Sequence, residues 1–203
     1  MRIIGVTGAI GSGKSMVSRI LNDLGVVIID ADILSKAVTS RGSDALGELV
    51  SYFGKEILLQ NGELDRKKLA ETVFNDKVRL HALNAITHKH IVKKIRSAID
   101  NIKSTGKSEV IAIDAPIPVE NGFMDVVDEV WVVTADREIR RNRIIERSGY
   151  TFEEAESRMN SQMKEEEYLR LADEVLENSG EIEELEKAVV RLFLQNIQQR
   201  KLQ

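Results

Sequence analysis

The chain of 203 residues contains no cysteine, which removes both a disulfide framework and a thiolate zinc site from consideration. Proline occurs only twice, at Pro116 and Pro118, so its stiffening effect falls on one short segment. Aromatic residues make up 4% of the chain and the formal net charge is −4. Nucleic-acid binders need a basic face and often stacking rings, so both figures argue against a nucleic-acid partner. No apolar run approaches the roughly 18 residues of a membrane span. Internal repeats and low-complexity tracts are also lacking. The first residues read as a strand rather than a cleavable leader, so we expect a cytoplasmic enzyme or binding protein. The length suits one domain with a sizeable core and room for insertions.

What the chain does have is concentrated near its start. Gly8-Ala9-Ile10-Gly11-Ser12-Gly13-Lys14-Ser15 fits G-x-x-x-x-G-K-[ST], the phosphate-binding loop pattern. The flanks fit as well. Residues 2–7 read as a buried strand entering the loop. Residues 16–24 read as a helix leaving it, with Val17, Ile20, Leu21 and Leu24 on one face and Gly25 as its stop. Glycines let the backbone approach a ligand closely, and successive N–H groups with the helix dipole make an anion cradle. Lys14 is then expected to reach the β- and γ-phosphates of a nucleotide, and the Ser15 hydroxyl to sit on Mg²⁺.

Further along, Val26 to Ile29 reads as a fully buried strand ending in Asp30-Ala31-Asp32. Ligands of open α/β sheets bind at the carboxyl ends of strands, which puts both acids near the phosphate loop. On extended backbone they can point the same way; either can instead cap the helix that follows over 33–39. Asp32 is the better catalytic candidate. Residues 40–102 look helical throughout, too much chain for a bare crossover between parallel strands. They read as an inserted helical subdomain and a place for an acceptor substrate. Its three histidines, His81, His88 and His90, read as surface or capping residues, because positions two apart on a helix face different ways.

Val110 to Ile113 is a third apolar strand ending in Asp114, which fits the second acidic group that helps hold Mg²⁺ in phosphate-loop enzymes. The proline pair leaves the sheet at its ligand end. Glu120 follows, a site group and a solvated loop acid on equal terms. Residues 130–133 form a fourth strand. An arginine-rich helix over 136–147 then carries Arg143 and Arg147 four apart, hence on one face. Such a helix is a solvated basic face or a source of guanidinium groups for phosphoryl transfer. Thr151 to Glu154 is a capping box, and Arg158 and Gln162 sit four apart on the helix it opens. Two such arms suit a lid that excludes water. A short last strand at 174–178 and a closing amphipathic helix at 182–198 complete the chain.

Taken in order, these motifs resemble the dephospho-coenzyme A kinase family over nearly the whole length. The phosphate loop matches, as do Ile29-Asp30-Ala31-Asp32-Ile33, Gly62-Glu63-Leu64-Asp65-Arg66, Leu83-Asn84 with His88, Pro116 to Glu120, Arg143 to Arg147, and Asn178-Ser179-Gly180. The resemblance implies a doubly wound, five-stranded parallel sheet of the phosphate-loop type. It divides into a core at about 1–32, 105–135 and 172–203, a helical acceptor subdomain at about 33–104, and a lid at about 136–171. It implies ATP and Mg²⁺ as cofactors and transfer of phosphate to the ribose 3′-hydroxyl of dephospho-CoA. Asp32 would then be the general base, with Lys14 and Arg143 on the transferring group. Gly11, Ser12, Gly13, Lys14, Ser15, Met16 and Arg147 would bind ATP. Asp32, Arg66, His88, Pro116 and Glu120 would form the acceptor site. The chain departs from the family pattern at Met16, Lys89, Pro118 and Ser148. The alternatives are a kinase for another small acceptor, such as a nucleoside or nucleoside monophosphate, and a non-catalytic paralogue that binds nucleotide or CoA. A GTPase switch is disfavoured, because no Asn-Lys-x-Asp or Asp-x-x-Gly segment follows the loop.

Overall fold

In the computed structural model, residues 1–74, 76–106, 108–115 and 125–200 are described. Five strands, β1 (Arg2–Thr7), β2 (Val27–Asp30), β3 (Val110–Asp114), β4 (Glu129–Thr134) and β5 (Glu174–Glu177), form one parallel sheet in the order β2-β3-β1-β4-β5. The five-stranded parallel sheet implied by the family resemblance is therefore present.

Side chains alternate across the strands, so each strand feeds two cores. Ile3, Ile29, Ile111 and Ile113 pack on one face against Ile91, Ile95, Ile99 and Ile102 of the long helix α5 (Lys77–Thr105). Ile4, Val6, Val110, Ala112 and Trp131 pack on the other, against Val17 and Leu21 of α1 (Lys14–Asp23) and Leu185 and Val189 of α9 (Ile182–Arg200). The result is three layers with helices on both faces of the sheet.

One strand differs from its sequence reading. The run Val26 to Ile29 reads as fully buried, yet β2 is an edge strand paired only with β3, and Val27, Ile28 and Asp30 are partly exposed. Continuous hydrophobicity cannot distinguish an edge strand covered by helices from a central one.

The stretch between β2 and β3 is mostly helical but not throughout. It holds α2 (Ala31–Val38), α3 (Asp44–Phe53), α4 (Arg66–Val73) and α5. Between α3 and α4 lie a 3₁₀ turn at Lys55–Ile57 and an antiparallel bridge between Leu58 and Leu64. The turn at Gly62, with φ 80°, closes that bridge, which the helical periodicity around it conceals. Leu49, Phe53, Ile57, Leu69 and Val73 give this region a small core of its own.

After β4 come α6 (Arg137–Ser148), α7 (Phe152–Asn160) and α8 (Glu165–Leu169). The capping box at Thr151 and Glu154 is formed, with the hydroxyl of Thr151 accepting from the Glu154 N–H at 3.2 Å. Helix α7 ends at Asn160, so Gln162 lies beyond the helix rather than on it. Helix α8 gives no periodic signal in the sequence because it is only five residues long.

Candidate active site

The sheet order makes a crevice. The connection from β1 leaves toward β2 at one edge, and that from β3 crosses β1 to reach β4. Ligands of open α/β sheets bind where connections diverge in this way. Register brings the acids there together: Asp114 is level with Val6 of β1 and with Asp30 of β2. A cavity of about 500 Å³ opens at this point, lined by residues 9–15, Asp30, Asp32, Asp114, Arg143, Arg147 and Gln162.

The phosphate loop has the geometry that its glycines permit. Gly8, Gly11 and Gly13 have φ of 147°, 81° and 97°. Space is as restrictive as torsion. A Cβ on Gly11 would lie 2.6 Å from the Arg140 carbonyl oxygen, and one on Gly13 would collide with the Asn178 side-chain amide. Helix α1 begins immediately after Gly13, so its free N–H groups and dipole end face the cavity.

Lys14 Nζ is 3.9 Å from Asp114 Oδ1, while Asp114 Oδ2 accepts a hydrogen bond of 2.6 Å from the Ser18 hydroxyl. Ser18 stands one helical turn after Lys14, on the same face of α1. That spacing is the one sequence signal that points to it.

The two acids after β2 have separated roles. Asp30 Oδ1 accepts from the Ile33 N–H at 2.9 Å and caps α2. Asp32 lies in the first turn of that helix, not on extended backbone. The helix begins two residues earlier than its apolar pattern indicates, because Asp30 supplies the cap. Both carboxylates still line the cavity. Shielding by the cavity walls raises the Asp32 pKa above the ordinary aspartate range, and Asp30 and Asp114 add to the rise, while Lys14 and Lys36 oppose it.

Arg143 and Arg147 of α6 both line the cavity, so this arginine helix is not simply a solvated face. Arg143 donates to the Asn178 backbone oxygen at 2.9 Å and to the Gly11 oxygen at 3.4 Å. The other arginines serve the framework. Arg137 and Arg141 pair with Glu156, Arg140 pairs with Glu165, and the Arg158 guanidinium lies 4.3 Å from the centre of the Tyr150 ring. Gln162 accepts from the Ile10 N–H at 2.8 Å, tying the end of this segment to the phosphate loop. The Ile10 side chain also packs against the cluster of Ile144, Ala155 and Met159.

Other site residues lie elsewhere. The Met16 side chain packs against the core around Val17 and Leu21, and its N–H donates to the Gly13 oxygen at 2.9 Å. Arg66 and His88 line a second cavity of about 360 Å³, together with Ser35 of α2 and Thr39, which caps the C-terminus of that helix. There Arg66 donates to the Thr39 hydroxyl at 2.8 Å. Helix α2 thus borders both cavities, with Asp32 on the first and Ser35 on the second, where its C-cap Thr39 joins it. Lys89 does not line this cavity and pairs with Glu48, which also accepts from His90 Nε2 at 3.0 Å. Pro116, Pro118 and Glu120 lie outside the described residues.

Comparison with known proteins gives a consistent answer. A family model described as dephospho-CoA kinase matches residues 2–184. The dephospho-CoA kinase of Carboxydothermus hydrogenoformans is 41% identical, covering 94% of this chain and 92% of its own. That of Moorella thermoacetica is 39% identical, covering 98% and 93%. Among solved structures, one from Thermus thermophilus superposes with a TM-score of 0.80 at 32% identity, covering 96% of this chain and 97% of that one. A dephospho-CoA kinase from Campylobacter jejuni gives 0.69 at 27%, covering 99% and 100%. Shikimate kinase from Acinetobacter baumannii, at 0.53 and 15% identity with coverage of 97% and 94%, shares the fold alone. With its phosphate loop intact and relatives aligned almost end to end, this chain belongs to the dephospho-CoA kinase family.

Proposed function

We propose that the protein transfers the γ-phosphate of ATP to the ribose 3′-hydroxyl of dephospho-CoA, giving CoA and ADP. The observation that carries this reading is the position of α2. Asp32 faces the phosphate loop from one end of the helix, and Thr39 faces the Arg66 and His88 cavity from the other. An acceptor lying along α2 therefore meets a carboxylate where it approaches the nucleotide.

In this reading the loop amides and Lys14 hold the β- and γ-phosphates. Asp32 accepts the proton of the attacking hydroxyl, and its raised pKa makes it a better base than an ordinary aspartate. Arg143 and Arg147 face the charge that develops on the transferring group. Residues 136–171 act as a lid and residues 33–104 as the acceptor subdomain. The Ser15 hydroxyl and the Asp114 carboxylate would hold Mg²⁺. No group of three or more acidic or histidine side chains suited to a metal occurs among the described residues. That donor set fits an ion that keeps several waters and takes the rest of its ligands from phosphate oxygens. When bound, Mg²⁺ neutralises charge on the β- and γ-phosphates. Among the described residues no helix is long and apolar enough to cross a membrane, and we place the enzyme in the cytoplasm.

The test is ADP release by the purified protein with ATP, Mg²⁺ and dephospho-CoA. Release that depends on the acceptor is expected, with loss of the product after periodate cleavage of the acceptor ribose diol. ADP release that ignores dephospho-CoA but responds to a nucleoside or nucleoside monophosphate would replace the acceptor and keep the kinase.

A further inference from the structure

We infer that Asn178 is a positioning residue that sets the phosphate cradle and the Arg143 guanidinium against each other; the inference rests on the reading of this loop as the ATP site. Asn178 follows the last residue of β5 and is only 7% exposed. Its side-chain Nδ2 donates to the Ser12 carbonyl oxygen at 2.7 Å, a contact between residues 166 positions apart. Its backbone oxygen accepts from Arg143 Nη2 at 2.9 Å. Its N–H is fixed on the Thr134 oxygen at 2.9 Å, at the end of β4.

These contacts act at the point where the cradle is made. A trans peptide points its C=O and N–H in opposite directions. Holding the Ser12 oxygen on Asn178 therefore turns the Gly13 N–H the other way. The same amide occupies the space beside Gly13 that any Cβ would need. The next residue extends the joint, since the Ser179 hydroxyl accepts from the Asp136 N–H at 2.7 Å at the start of α6. One turn thus references both the loop and the arginine helix to the rigid end of the sheet. A side chain with no N–H to donate releases the Ser12–Gly13 peptide, and the cradle loses its alignment while the acceptor cavity beyond α2 is untouched.

Asn178→Leu keeps the branched shape and removes the donor without adding charge; Asn178→Ala removes both, and either variant is read alone if the other does not fold. Calorimetric titration with ATP–Mg²⁺ and separately with dephospho-CoA, together with a melting curve, is the measurement. The expected result is ATP affinity weakened about tenfold, the size of one lost buried hydrogen bond. Dephospho-CoA affinity stays within about twofold of wild type, a split that general loosening would not give. Wild-type ATP affinity in a folded variant overturns the inference, as does an equal loss for both ligands. A wild-type protein that binds no ATP overturns the functional reading itself, an outcome separate from either of these.

Discussion

Asp32 and Asp30 stand two residues apart and do different work. Asp30 spends one oxygen on the helix cap, while Asp32 is held in the cavity with its pKa raised, mainly by shielding and next by Asp30. The consequence for stability has a definite sign. A carboxyl whose folded pKa lies above its unfolded value favours folding only while protonated. That contribution is complete below the unfolded pKa, near 4, and is lost as pH rises through the folded one. Asp32→Asn should therefore melt higher than wild type at pH 7, with the gain vanishing below about pH 4 in pH-resolved melting curves. If Asp32 is the base, the same variant loses about 10²–10⁴ in kcat with little change in ATP affinity, checked by steady-state assay and titration. Gly13→Ala meets both a left-handed φ and the Asn178 amide. The torsion alone costs about 1–2 kcal/mol, so denaturant melts should show at least that loss together with failed nucleotide binding.

At the level of elements, α2 depends on its cap. Asp30→Ala removes the acceptor for the Ile33 N–H and should lower stability by about 0.5–2 kcal/mol in urea unfolding. Asp30→Asn keeps a good cap but removes the charge that helps raise the Asp32 pKa. The acidic limb of its kcat/KM profile should accordingly move to lower pH, with stability nearly preserved. The segment after α7 reports on a different joint. Gln162→Ala deletes the acceptor that the Ile10 N–H uses, a loss of about 0.5–1.5 kcal/mol from that contact. Amide hydrogen exchange should then quicken in residues 150–162 and leave α9 unchanged.

For the whole molecule, nucleotide binding is also a stability measurement. ATP–Mg²⁺ at a hundredfold excess over Kd should raise unfolding free energy by about 2.7 kcal/mol, seen as a shift in the thermal midpoint. Chelation by EDTA should abolish turnover, and the shift given by dephospho-CoA alone should persist, because none of the residues proposed to hold Mg²⁺ lies on the second cavity.

Much of this was legible in the order of residues. The phosphate loop, four of the five strands as apolar runs, the Thr151 cap and the Arg143–Arg147 spacing are local patterns. Local patterns follow from torsions, helical period and hydrogen bonding between near neighbours. Where the sequence misled, the missing information was long-range. The exposure of β2 depends on its being at the edge of the sheet, and the start of α2 depends on which acid caps it. The bridge between Leu58 and Leu64 is a pairing across a turn.

By itself, then, the chain determined that a glycine loop would lie between a strand and a helix, with acids at strand ends and arginines on one helix face. Only the tertiary structure decided that Asp114 leans on Ser18, that Gln162 meets Ile10, and that Asn178 joins Ser12 to Arg143. The physical reason is separation along the chain. The Asn178–Ser12 contact spans 166 positions, and no local propensity encodes a contact whose geometry is set by the packing of a whole sheet.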